Sequence, residues 1–432
     1  MMRFVAVIIS ALVLLGLVGA GWYYRPWSDY APARIRALDD PAQYPQTYQR
    51  MDEFLPHTFI AADAPSPFPH ALRPLDIQYE WQGETKTLDQ YLEEAQVTGL
   101  TVLHRGEVVA QIYGHDAGAQ SRFTSWSVGK SFVATLIGKA LHEGRIASLD
   151  DTVEQYAPEY AGTDYGATSL RHLLMMSSGM DFNEEYSADA PSDVRPLFFN
   201  AFILRRNPDE MIARIERDRT PGEDFHYISP NSHVLSAVVR NVYEGRLAEI
   251  MERELWTPLG MKNEASWLQH KPGPEGVAIG YCCLQASSED YARLGQLYLQ
   301  DGVWNGERLL PEGWVDMVST PPTPSHEPGA SRYAHRGYGL HSWIPEDYDR
   351  EFYAAGVFGQ YIWMDRKRDL VIAQNAGDPN WTDRNVEMTA VFRAIASSVA
   401  PLSRFDVHGA SRDGEKDPEA PSTEPVEMEP QP

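Results

Sequence analysis

Residues 123–132 read Phe123-Thr-Ser-Trp-Ser127-Val-Gly-Lys130-Ser-Phe132, a serine three positions before a lysine at the head of an apolar run. From Ser131 to Glu143, the residues Phe132, Val133, Leu136, Ile137, Ala140 and Leu141 recur at three- and four-residue steps, and Gly144 follows as a stop signal. This spacing predicts a buried helix. Nowhere else in the chain does a serine precede a lysine by three residues. On a helix, positions i and i+3 share a face, so the hydroxyl and the amine come within hydrogen-bond reach. A partly buried lysine loses proton affinity, and the neutral amine can take the proton of a serine that is otherwise a weak nucleophile. The helix N-terminus favours the negative charge that develops there. The same four residues also fit a plain helix cap at Ser127 with Lys130 in solvent.

Outward from this segment the periods change. Leu100 to Tyr113 alternates around Arg105-Gly106, which predicts a β-hairpin. Helical patterns follow up to about Gly260, among them Leu170 to Met176 and Val234 to Tyr243, separated by Gly/Pro/Ser/Asp loops. Glu289 to Gln300 reads as a helix, and strands return at Tyr353 to Asp365 and Asp369 to Asn375 around Arg366-Lys367-Arg368. A sheet built from distant parts of the chain is thus interrupted by a helical region.

The 432 residues are 43 % hydrophobic, enough for a large core, and the formal net charge of -24 repels nucleic-acid phosphates, so no nucleic-acid partner is expected. Phe4 to Gly21 is almost purely apolar and runs into Trp22, Tyr23 and Tyr24. Residues 1–24 therefore read as a signal peptide or a single membrane anchor, with the rest exported to the periplasm, tethered there or secreted. Residues 25–79 are rich in proline and aromatics and read as a linker or wrapping arm, 80–403 as the folded body, and 404–432 as a disordered acidic tail. The only cysteines, Cys282 and Cys283, are neighbours. A bridge between them would close no useful loop, and no spaced Cys/His set completes a metal site, so both are expected as small core residues.

The segment quoted first, together with Leu141-His-Glu-Gly-Arg-Ile-Ala-Ser-Leu-Asp-Asp-Thr-Val153, resembles the nucleophile helix of the serine β-lactamase and penicillin-binding-protein superfamily. Leu173 to Met180, Pro221 to Leu235, Ala286 to Gln296 and Gly356 to Gln360 extend the likeness over roughly residues 80 to 400. Within the superfamily the chain most resembles the esterase and 6-aminohexanoate-dimer hydrolase branch, because its second motif reads Tyr227-Ile228-Ser229. The resemblance implies an α+β sandwich, an antiparallel sheet flanked by helices with an inserted mainly helical region. It implies Ser127 as nucleophile, Lys130 and Tyr227 as its proton-handling partners, and an oxyanion hole from the N–H groups of Ser127 and Val357. Asp181 to Tyr186 resembles the loop that carries a second tyrosine over the substrate, so Tyr186 joins Ser229, Tyr281 and Gly356 as a candidate substrate contact.

Two departures bear on the substrate. Ala354-Ala355-Gly356 stands where lactam-recognising members carry Lys-Thr-Gly and many esterases His-x-Gly, so no cation awaits a substrate carboxylate there. Tyr281-Cys282-Cys283 is bulkier than the related pattern and predicts a narrower pocket. The expected activity is hydrolysis of a small ester or linear amide through an acyl-enzyme, without metal or organic cofactor. A lactam- or peptidoglycan-directed enzyme of the same fold, and a binding protein that has lost turnover, are the alternatives.

Overall fold

In the computed structural model, which describes residues 2–402 apart from Pro26 and Ala188, the chain opens with helix α1 (Met2–Tyr24). Its stretch Phe4–Tyr24 is long and apolar enough to cross a membrane, and none of it is buried against the rest. The proposed tail beyond 403 lies outside the described residues.

The next segment is woven into the body. Strand β1 (His57–Ile60) pairs antiparallel with β5 (Ala265–Leu268), which continues through β6 (Leu284–Ala286) to β4 (Phe123–Thr124) in one four-stranded sheet. Tyr48 accepts a hydrogen bond from the amide of Thr124 at 2.8 Å, beside the Ser127 turn.

The principal sheet is antiparallel and seven-stranded. It runs β7 (Arg336–Tyr338), β8 (Trp343–Pro345), β9 (Glu351–Gly356), β10 (Gln360–Asp365), β11 (Leu370–Ala376), β2 (Val97–His104), β3 (Glu107–Tyr113). The β2–β3 hairpin closes through Arg105 and Gly106 at φ +53° and +74°, a pair of left-handed residues that matches the twist of the strands. The run Tyr353 to Asp365 contains two strands, β9 and β10, because Val357-Phe358-Gly359 turns the chain back, with Phe358 and Gly359 at positive φ.

Register puts alternate residues on opposite faces. Leu103, Val371, Met364 and Phe352 enter one core; Val102, Ile372, Trp363 and Tyr353 enter the other. Helix α5 (Ser288–Leu299) covers the first face, so closely that a Cβ on Gly295 would lie 2.6 Å from Val371. Helix α6 (Trp381–Val399) covers the second with Met388, Val391, Phe392 and Ile395. A region of mainly helical structure stands between β4 and β7, including α2 (Gly129–His142), α3 (Leu170–Leu174) and α4 (Ser229–Val242). Helix α2 ends at His142, and Gly144, the expected stop signal, follows two residues on at φ +71°. The architecture is the sandwich with an antiparallel sheet flanked by helices that the motifs imply.

Cys282 and Cys283 differ from expectation: the structure joins them as a disulfide between neighbours, both buried, with Cys283 in the left-handed region at φ +83°.

Candidate active site

Ser127 lies in a tight turn, Trp126–Val128, that leads directly into α2. Trp126 holds φ +41°, a conformation that surrounding contacts must enforce in a residue with a side chain. Ser125 supplies them: its Oγ accepts from the amides of Cys283 and Leu284, each at 3.0 Å, and donates to Trp126 O at 2.9 Å.

Lys130, one turn on, is 2 % exposed. Its Nζ donates to Ser127 Oγ at 2.7 Å and to the carbonyl of Tyr281 at 2.8 Å. Burial pulls its pKa down to about 8, partly opposed by the negative charge of Glu184. At pH 7 about a tenth of such lysines are neutral, against almost none for one in water. The surface-lysine reading of the tetrapeptide therefore fails.

Tyr227 precedes α4, its ring stacked on Trp343 at 5.2 Å and Lys130 Nζ 5.3 Å from its centroid. The nearby Ser127 hydroxyl favours the ionised phenol. A lowered phenol pKa would favour proton shuttling, but burial pushes this one up, so the phenol keeps its proton and can only pass it on.

The end of β9 meets the serine turn so tightly that a Cβ on Gly356 would lie 2.7 Å from Ser125 O and 3.0 Å from Ser127 N. Only glycine allows this approach. Val357 follows just past the last ladder pair, Gly356 with Gln360. Ser127, Tyr227, Gly356, Val357 and Tyr186 all line one cavity of about 520 Å³.

The remaining candidates lie behind its wall. Tyr281 is fully buried against Phe198 and His233, with only its carbonyl turned to Lys130, so it does not narrow the cavity. Ser229 is buried too; its amide and hydroxyl donate to Glu184 at 2.9 and 2.5 Å. Among the described residues no group of three or more His, Cys, Asp or Glu is placed to hold a metal ion.

Three residues that sequence reasoning passed over belong to this region. Glu184, 3 % exposed, joins Ser229 and Tyr186 and places a carboxylate near Lys130. Its signal in the sequence was only its place beside Tyr186. His341 is buried near Lys130, with Nε2 2.7 Å from Ser232 Oγ and Nδ1 2.9 Å from Leu174 O. Burial pushes its pKa down to about 4, so it is a neutral strut and does not act as a base at ordinary pH. Arg336 lines the cavity from β7, the far edge of the sheet. The cluster Arg332, His335 and Arg336 among aromatics, in so acidic a chain, was its visible trace.

The Beta-lactamase family profile matches residues 85–393. The 6-aminohexanoate-dimer hydrolase of Paenarthrobacter ureafaciens is 31 % identical over 310 residues, 68 % of this chain and 76 % of that protein. A solved Bacillus anthracis structure, provisionally assigned as a 6-aminohexanoate-dimer hydrolase, superposes with TM-score 0.74 at 23 % identity, over 84 % of this chain and 96 % of that one. A class C β-lactamase shares the fold at TM-score 0.53 and 15 % identity, over 73 % and 95 % of the two chains. With a serine–lysine pair at the mouth of a buried helix and a family match across most of its length, the chain belongs to the Beta-lactamase family, as a serine hydrolase related to 6-aminohexanoate-dimer hydrolase.

Proposed function

We propose that residues 80–403 form the catalytic body of an exported hydrolase that cleaves a small ester or linear amide through an acyl-enzyme on Ser127. The observation that carries this reading is the 2.7 Å contact between Ser127 Oγ and a Lys130 buried enough to lose its proton near pH 8. Lys130 takes the hydroxyl proton as Ser127 Oγ bonds to the carbonyl carbon. The oxyanion so formed points at the amides of Ser127 and Val357, which Gly356 brings together. Tyr227, still protonated, gives its proton to the departing oxygen or nitrogen and is reprotonated from Lys130, after which the carbon–leaving-group bond breaks. Water then repeats the sequence on the acyl-enzyme, returning Ser127 and releasing the acid.

The linear-amide class is supported by the relative named for 6-aminohexanoate-dimer hydrolysis, and the ester class by the lower intrinsic barrier of ester carbonyls. Ala354-Ala355-Gly356 speaks against a lactam-directed enzyme, since no cation stands at that strand. The helix Phe4–Tyr24 supports export, as signal or anchor.

A fluorophosphonate probe tests the reading. Labelling of the wild type that disappears in Ser127→Ala supports it; no labelling, or equal labelling of both, removes it. Faster turnover of nitrocefin than of p-nitrophenyl esters and ω-amino amides would favour the lactam alternative.

A further inference from the structure

Sequence comparison removes the substrate-binding cation from its usual strand, yet the cavity is not without one. Arg336 sits on the edge strand β7, where it pairs with Pro345 of β8. Its side chain reaches inward, its guanidinium carbon 3.9 Å from the Trp343 ring centroid and 5.0 Å from that of Tyr333. It lines the same cavity as Ser127, Tyr227 and Gly356. Ala355, with its small side chain, is on the wall of the same cavity.

The surroundings of this guanidinium are unusual for its charge. Three other arginines near the sheet are paired with carboxylates, Arg366 with Asp316, Arg368 with Asp365 and Arg393 with Glu351, whereas Arg332, which also lines the cavity, donates to the Glu184 carbonyl and the Tyr333 hydroxyl. Among the described residues Arg336 makes no carboxylate pair; the Trp343 and Tyr333 rings flank it, the Tyr353 phenol is a polar neighbour, and it also borders an outer cleft with Glu346 and Asp347. Glu184, the buried carboxylate of the same cavity, is instead saturated by Ser229 and Tyr186. A half-buried guanidinium seated over an indole carries its N–H donors on a rigid planar fork, which fits a carboxylate with two parallel hydrogen bonds. Leaving it unpaired is costly in an aromatic wall, and an anion arriving with the substrate removes that cost.

We propose that Arg336 is the anion-recognising residue of this site, and that the substrate is an ester or linear amide carrying a carboxylate. The charge absent from Ala354-Ala355-Gly356 is thereby supplied from two strands away. The inference rests on the reading of Ser127 as nucleophile and sharpens its substrate class.

Two ester pairs matched in structure but differing in charge test it: mono-p-nitrophenyl glutarate against its methyl ester, with the charge on the acyl side, and 4-butyryloxybenzoate against its methyl ester, with the charge on the leaving side. The wild type is expected to favour the acid of at least one pair in kcat/KM by about ten-fold or more, and the preference to weaken with added salt. Arg336→Gln is expected to bring that ratio down about ten-fold or more, and Arg336→Lys to keep part of it, since an ammonium retains the charge without the fork. Preference for the neutral member of both pairs, or a ratio unmoved by Arg336→Gln, overturns the proposal. Should the variants fail to fold, protection of wild-type Ser127 from the fluorophosphonate by glutarate supports it, and absence of protection overturns it. Wild-type enzyme that the probe does not label would instead sink the nucleophile reading, so the two failures are separate.

Discussion

The hydroxyl of Tyr186 donates to Glu184 Oε1 at 2.5 Å, two residues back in the chain, and so ties a ring on the cavity wall to a carboxylate beneath it. The same carboxylate receives the amide and hydroxyl of Ser229 at the start of α4. Loop and helix are thus clamped through one buried carboxylate.

Glu184 also favours the ammonium form of Lys130. In Glu184→Gln that support is gone, the lysine pKa falls further, and the acidic limb of kcat/KM is expected to move to lower pH by roughly one unit. A pH profile of ester hydrolysis reads this directly; a limb that stays in place, or moves up, contradicts the coupling.

Lys130 itself sets that limb. Below about pH 8 the amine is protonated and has no lone pair to accept the serine proton. Activity is therefore expected to climb about ten-fold per pH unit up to that region and to level above it. Lys130→Met should lower kcat/KM by about a hundred- to ten-thousand-fold at every pH and abolish the limb. An unchanged profile in this variant would assign the base elsewhere.

At Gly356 any side chain collides with Ser125 O and Ser127 N. Gly356→Val is expected to push β9 off the serine turn, separating the two amides assigned to the oxyanion and reducing kcat by about a hundred-fold or more. KM should change less, because the lost interaction belongs to the transition state. Steady-state kinetics on one ester distinguish this from a loss confined to KM.

Stability has a different address. Trp363 is fully buried on the α6 side of the sheet, stacked on Tyr353 at 5.6 Å and edge-on to Phe392 at 6.0 Å. Trp363→Ala should cost about 3–5 kcal/mol in denaturant unfolding, through lost burial and the cavity left behind. A loss under 1 kcal/mol would mean that this core collapses around the gap.

Much of the molecule is local in origin, and that part was legible. Gly144 follows the end of α2, Arg105-Gly106 makes the β2–β3 turn, and Ser127 stands one helical turn from Lys130, because each depends on neighbours within a few residues. Two readings failed where local pattern was ambiguous. The apolar run from Tyr353 to Asp365 hid the reversal at Val357-Phe358-Gly359, since apolar residues fill both faces of a doubly covered sheet and no alternation marks the break. Tyr281 looked like a pocket residue because its bulk was visible and its direction was not.

By itself, then, the sequence determined the helices, the turns, the motif order and the nucleophile–lysine pair, all consequences of backbone periodicity and residue type at short range. Only the tertiary structure decided what surrounds that pair. The bond from Lys130 to Tyr281 spans 151 residues and that from Ser229 to Glu184 spans 45. The place of Arg336 in the cavity depends on the register of an edge strand two strands from Gly356. Contacts of that range follow from how layers pack, and burial, which sets the proton affinity of Lys130 and leaves Arg336 without a carboxylate, exists only once those layers have closed.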